Sequence, residues 1–195
     1  DSIGGDFYLI EKINDKIVIA VADCTGHGVH GAIISVICDN AIKRAIRNVG
    51  LSDPAKILNQ TRDFVLETFM GSGEDIKDGM DIALCSFDSE ANVLEYAGAF
   101  NSLWLLRNRA IIEIKADKQP VGLFLGEELK SFTNQEIQIL KDDIVYVFTD
   151  GFADQFGGPK GKKFKYKKLQ NILIENFQKN MSEQKLVLER SIAER

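Results

Sequence analysis

Residues 4–31 read GGDFYLIEKINDKIVIAVADCTGHGVHG, and the punctuation of this stretch decides the fold. Two apolar runs, 7–10 and 17–22, flank the polar triplet Asn14-Asp15-Lys16, which is the pattern of a β-hairpin. The second run is apolar throughout and suits a strand covered on both faces, although periodicity alone leaves a buried helix open. Each strand carries one acid at a special place. Asp6 follows the double glycine Gly4-Gly5, and Asp23 closes the run Ile17-Val18-Ile19-Ala20-Val21-Ala22. A carboxylate at the end of a buried strand is costly unless it is paired or metal-bound. Two of them on neighbouring strands can meet at one end of a sheet and share a divalent cation. Behind Asp23, the glycines Gly26, Gly28 and Gly31 allow backbone to approach a ligand closely.

Working outward, residues 29–47 place Ala32, Ile33, Val36, Ile37, Ala41 and Ala45 at helical spacing. Asp53-Pro54 reads as an N-cap followed by proline at the first helical position, so a second helix is expected to about residue 69. Gly71-Ser72-Gly73 with Glu74-Asp75 reads as a flexible loop. Strands are predicted at 81–87, 93–97, 103–107 and 110–114, forming an antiparallel meander through short turns at 89–92 and 108–109. Two more, 136–140 and 144–148, are joined by the charged turn Lys141-Asp142-Asp143. From about Tyr166 the pattern returns to helix through Leu169, Ile172, Leu173 and Phe177. Two long helices followed by hairpin-linked strands indicate an α+β fold rather than a parallel doubly wound sheet.

Composition narrows the function classes. With 45% hydrophobic and 27% charged residues and three prolines in 195 residues, the chain reads as one soluble globular domain spanning 1–195. A net charge of -5 argues against nucleic acid as a partner. Cys24, Cys38 and Cys85 are odd in number and lack metal-site spacing, so reduced thiols and a cytoplasmic location are expected. No signal peptide is evident, and the apolar runs are too short to span a bilayer, so no membrane contact is expected. The sequence opens on Asp1, almost inside a strand, and reads as cut from a longer chain at both ends.

GGDFY followed by ADCTGHGVHGA resembles the opening of a PPM-superfamily metal-dependent Ser/Thr protein phosphatase domain, in its SpoIIE/RsbU-like bacterial branch. DGMDIALCSFD, LEYAGAFNSLWLLRN, QPVGLF and VYVFTDGFADQFGG recur in that branch in the same order. The resemblance implies two packed antiparallel β-sheets flanked by helices, an αββα sandwich. It also implies two Mn2+ or Mg2+ ions that activate a water for attack on a phosphomonoester. Under it, Asp6 and Asp23 are catalytic and Asp23 bridges the ions. The Cys24 carbonyl is a ligand, where the family commonly has glycine, and Asp6 and Asp150 each serve one side. Gly26, His27, Asp81 and Asn101 are site neighbours. One further aspartate-bearing strand is expected after Asp150, and none occurs before Arg195. The implied substrate is a phosphorylated anti-anti-sigma (STAS) protein, under an upstream sensor domain, with a homodimer possible.

Blander readings stand beside these. A lone Asp-Gly more often caps a turn; three strand-end acids within ordered motifs favour metal. His27 and His30, three residues apart without further ligands, make a poor zinc site. His27 is expected to shape the loop and His30 to be an exposed helix-start residue. Asp81 is expected to touch metal or to cap a turn, and Asp78 and Asp154 to be plain surface acids. The run KGKKFKYKK at 160–168 reads first as a solvated loop and helix start, then as a docking patch, and last as a nucleic-acid contact. GGDF also resembles the GGDEF signature of diguanylate cyclases, but the glutamate and the βαββ order are missing. The functional rival is a non-catalytic regulatory or binding module with the phosphatase fold.

Overall fold

The structure is a computed structural model that describes residues 4–70, 78–124, 128–157 and 162–193. A hairpin of β1 (Phe7–Ile13) and β2 (Lys16–Cys24) leads into two helices, α1 (Gly28–Val49) and α2 (Pro54–Met70). Strands β3 (Gly79–Asp88), β4 (Val93–Ala99), β5 (Leu103–Arg107) and β6 (Ala110–Ile114) follow. Then come the short β7 (Val121–Gly122), β8 (Gln135–Gln138) and β9 (Ile144–Tyr146). The two-residue strands β10 (Phe156–Gly157) and β11 (Lys162–Lys163) pair before α3 (Tyr166–Glu175) and α4 (Met181–Ala193). The loop expected at 71–75 lies outside the described residues.

Local chemistry explains the boundaries. The first hairpin closes on Asn14-Asp15 between the paired Ile13 and Lys16, with Asn14 at φ 53°, a conformation asparagine tolerates. The Asp53 carboxylate accepts the Lys56 N–H at 3.1 Å, capping α2 ahead of Pro54. α1 stops where Gly50 adopts φ 89° and donates its N–H to the Ile46 carbonyl.

Four layers result. The larger sheet runs β1-β2-β3-β4-β8, with β7 also on β3, and the smaller runs β6-β5-β9. One face of the larger sheet packs on α1 and α2, burying Val18, Ala20, Ile42, Leu58, Ile82 and Leu84 completely. Its other face meets the smaller sheet through Ala83, Cys85 and Tyr96 against Leu103 and Leu105. The outer face of the smaller sheet packs on the last two helices through Trp104, Phe164, Leu169 and Leu173. The αββα sandwich is therefore the architecture. Adjacent residues of β3 serve opposite cores, which is why this strand is apolar throughout rather than alternating.

Two strand connections differ from expectation. The predicted four-strand meander is divided, with β3 and β4 in one sheet and β5 and β6 in the other. Between β4 and β5 the chain bends at Phe100, φ 55°, whose N–H donates to the Asp117 carbonyl while the Asn101 N–H donates back to Ala99. Likewise β8 and β9 are not a hairpin: β8 pairs with β4 and β9 with β5. A charge latch holds this crossing. The Asp143 carboxylate accepts the Leu140 N–H and two bonds from Arg107, at 2.9 and 2.6 Å. The three cysteines are free and buried. Among the described residues no helix is long and apolar enough to cross a membrane.

Candidate metal centre

The hairpin pairing ends at Phe7↔Ala22, one residue short of Asp6 and Asp23. Both acids therefore emerge together at one end of the larger sheet. On the other side of β2 the register sets Asp23 directly opposite Asp81 of β3. Asp81 is thus a strand residue within the site, since β3 already begins at Gly79, and not a turn cap. Asp150 comes from the smaller sheet, four residues after β9. The two sheets are tied here, because the Thr149 hydroxyl donates to the Asp6 carboxylate at 2.8 Å.

The electrostatics follow from this crowding. Asp23 is pushed up to about 7, first by burial, then by its hydrogen bond with Asp6, then by the charges of Asp6, Asp150 and Asp81. Asp81 is pushed up to about 6 by burial and by Asp150. Carboxylates do this when they converge without a compensating cation. The donor set is hard oxygen, which suits Mg2+ or Mn2+ rather than zinc. Among the described residues no three His, Cys, Asp or Glu side chains already enclose an ion position; what the fold supplies is the gathered charge that a divalent ion would neutralise.

The backbone around the acids is fixed by close approaches. A side chain at Gly5 would put its Cβ 2.6 Å from the Cys24 carbonyl oxygen, so that oxygen faces the Gly5-Asp6 segment. The Cys24 thiol points the other way, into the core, where Cys38 and burial push it upward. Cysteine in place of glycine at 24 thus leaves the carbonyl on the acid side. Gly31 has a different role from the one its spacing suggested. A Cβ there would come 2.6 Å from the Gly26 carbonyl, so it lets α1 press against the loop and not against a ligand.

A cleft of about 410 Å³ opens beside the acids, lined by Asp23, Cys24, Gly26, His27, Asp81 and Leu123 among others. His27 is exposed at the N-cap of α1 and makes no side-chain capping bond. His30 is exposed, but its Nε2 lies 3.1 Å from the Asp78 carboxylate. Asp78, read as a surface acid, is in fact 9% exposed and held under the start of α1 by this bond. Nothing local signals a partner 48 residues away. Asp154 is half-buried and pairs with Lys163 at 2.7 Å. Asn101 lies in the β4–β5 turn, where its carbonyl accepts the Tyr96 hydroxyl at 2.6 Å, and it lines a cavity other than the acid cleft.

Comparison with known proteins bears on this geometry. The Stage II sporulation protein E (SpoIIE) family model matches residues 14–194. The SiaA-PP2C domain of Pseudomonas aeruginosa is 31% identical, with TM-score 0.88 over 98% of this chain and 74% of that one. The RsbU and RsbW domains of Rv1364c from Mycobacterium tuberculosis give 20% identity and TM-score 0.71, over 97% of this chain and 51% of that one. The PP2C phosphatase domain with a regulatory fragment of SpoIIE from Bacillus subtilis gives 14% and 0.75, over 100% and 57%. This chain therefore spans little more than half of the latter two. Among curated protein sequences nothing matches. The chain belongs to the SpoIIE family of metal-dependent PP2C-type protein serine/threonine phosphatase domains.

Proposed function

We propose that this domain hydrolyses phosphoserine or phosphothreonine on a partner protein, with two Mn2+ or Mg2+ ions held by Asp6, Asp23, Asp150 and the Cys24 carbonyl. The observation that carries the reading is the convergence of acids at one end of the larger sheet: Asp6 and Asp23 leave the hairpin together, Asp81 stands opposite Asp23, and Thr149, the residue before Asp150, is bonded to Asp6. When bound, such ions supply Lewis acidity and an activated water. The protein's own part is to hold the acids. Thr149 fixes the Asp6 carboxylate by donating to it, Gly5 leaves room for the Cys24 carbonyl, and the β2–β3 register delivers Asp23 and Asp81 as neighbours. Asp81 joins the ligand candidates on this geometry. Gly26 and His27 line the cleft through which a phosphorylated side chain would enter.

The partner reading has its own support. Directly after the acid loop, α1 exposes Val29 (71%), Ile33 (55%) and Val36 (60%) at i, i+4 and i+7. An apolar stripe on a helix that abuts the acids is where an upstream sensor domain or a second copy would act, in a longer cytoplasmic signalling chain. The substrate that fits this setting is a phosphorylated anti-anti-sigma (STAS) protein. Charged substitutions at Ile33 and Val36 should then alter activation by the partner and leave basal activity in place.

The test is release of phosphate from a phosphoserine peptide with Mn2+, Mg2+ or EDTA. Turnover that needs the ion and is lost in Asp23→Asn is expected. Metal binding without turnover would instead favour the non-catalytic binding module.

A further inference from the structure

A second cavity, of about 330 Å³, lies on the outer side of the smaller sheet. Its walls are Trp104, Phe148 and Tyr166, with Phe100, Asn101, Ser102, Glu113 and Gln170 at the edges. The size is within the range of sites that hold small ligands or long side chains. The three rings of Trp104, Phe148 and Tyr166 lie within 6.1 Å of one another, centroid to centroid. Register puts Glu113 directly opposite Trp104, so carboxylate and indole stand side by side on one face. Among the described lining residues Glu113 carries the only formal charge. Of the nearby basic run, Lys163 pairs with Asp154 at 2.7 Å and Lys168 lies over the Phe164 ring at 4.5 Å. Aromatic faces with one carboxylate attract a cation and reject an anion. Asn101, also lining the cavity, has a buried Nδ2 that donates to no acceptor among the described residues.

The cavity and the acid cleft have neighbouring residues in their walls. Phe148 is two residues before Asp150, and the Tyr166 phenol is raised first by burial and then by the charges of Asp150, Asp154 and Glu113. Phe100, on the cavity rim, packs edge-on against Phe124 at 6.4 Å, and Leu123, next to Phe124, lines the acid cleft. A peptide with its phosphate at the carboxylates can therefore lay a nearby side chain across the Phe100–Phe124 edge into this cavity.

We propose that the Trp104–Phe148–Tyr166–Glu113 cavity is a specificity subsite that takes the lysine or arginine side chain of a residue near the phosphorylated one in the substrate. This rests on the phosphoprotein reading above, but the cavity can be probed without catalysis because Trp104 is the chain's sole tryptophan. Titration of the metal-free protein with N-acetylarginine amide should give a saturable change in its emission. The response should be at least ten-fold weaker with the uncharged citrulline analogue, and ten-fold weaker for arginine in Glu113→Gln. No saturable change, or equal response to both amides, overturns the subsite whether or not the domain turns over phosphoesters. In the kinetic arm, Glu113→Gln should leave Mn2+-dependent hydrolysis of p-nitrophenyl phosphate unchanged. Its KM should rise about ten-fold for phosphoserine peptides carrying one arginine within four residues of the phosphate. Equal KM for arginine- and alanine-bearing peptides in the wild type also overturns the subsite, while loss of p-nitrophenyl phosphate turnover in the wild type counts against the phosphatase reading instead.

Discussion

Strands β2 and β3 behave differently at their two ends. Through the middle they bury Val18, Ala20, Ile82 and Leu84 completely beneath α1 and α2. At the end where the acid loop begins, the same ladder sets Asp23 opposite Asp81, where burial and the neighbouring acids raise both carboxylates above their ordinary range. One stretch of sheet thus carries fully buried core residues and a crowded set of acids. The difference teaches that the core is what allows the acids to be held together. A ladder less firmly anchored would let Asp23 and Asp81 move apart.

The comparison can be broken first from the core side. Leu84→Ala should destabilise the domain by about 2–5 kcal/mol in chemical denaturation, through a cavity under α2. The fraction that remains folded should still bind Mn2+. Gly31→Ala should act at the boundary between the two regions, since its Cβ would strike the Gly26 carbonyl. About 1–3 kcal/mol of stability should be lost, and Mn2+ affinity should fall with it, because the loop that carries Cys24 to His27 must shift.

From the acid side the sign reverses. Asp23 has a folded-state value raised to about 7, well above the unfolded carboxylate at about 3.9. Between those values the folded state holds the extra proton, so stability falls as pH rises through this window and the cost is fully present above about 7. Asp23→Asn should therefore stabilise the metal-free domain at pH 8 by about 1 kcal/mol once solvent screening is allowed for, and leave it unchanged near pH 4. Thermal melts at the two pH values check this. Equal melting temperatures at pH 8 would mean the acids are not under strain.

The smallest effect is expected far from both regions. Arg107 holds the Asp143 carboxyl below its ordinary range, so this latch contributes above the unfolded value and is lost as pH falls through the folded one. Asp143→Asn should lower the melting temperature by a few degrees at pH 7 and by less near pH 3, with Mn2+ binding unaffected.

Much of this was legible in the sequence, for identifiable reasons. The first hairpin, the α2 cap at Asp53-Pro54 and the strands at 103–107 and 110–114 have strong local signals, and they form where expected. Which sheet each strand joins was not legible. Apolar strands linked by short turns look alike whether they stay in one sheet or cross to the next, and the deciding bend at Phe100 depends on a bond to Asp117. The two-residue strands β7, β10 and β11 are too short to show a period. In the site, Asp23 stands out as the acid that closes an apolar run, Asp6 as the acid between the double glycine and the first strand, and Asp150 as the acid that follows the apolar run 144–148. Asp81 needed the register with β2, and the burial of Asp78 needed His30 from another element.

The central claim is that the acids at the end of β2 form a divalent-cation centre, and calorimetric titration of Mn2+ into the wild type and Asp23→Asn tests it most directly. Wild-type binding should tighten between pH 6 and 8 with release of a proton, since the ion favours the ionised form of Asp23, whose carboxyl is raised to about 7, and Asp23→Asn should lose most of the heat at both pH values. Equal binding by the two proteins, or wild-type binding with no proton released at pH 6, would contradict the account.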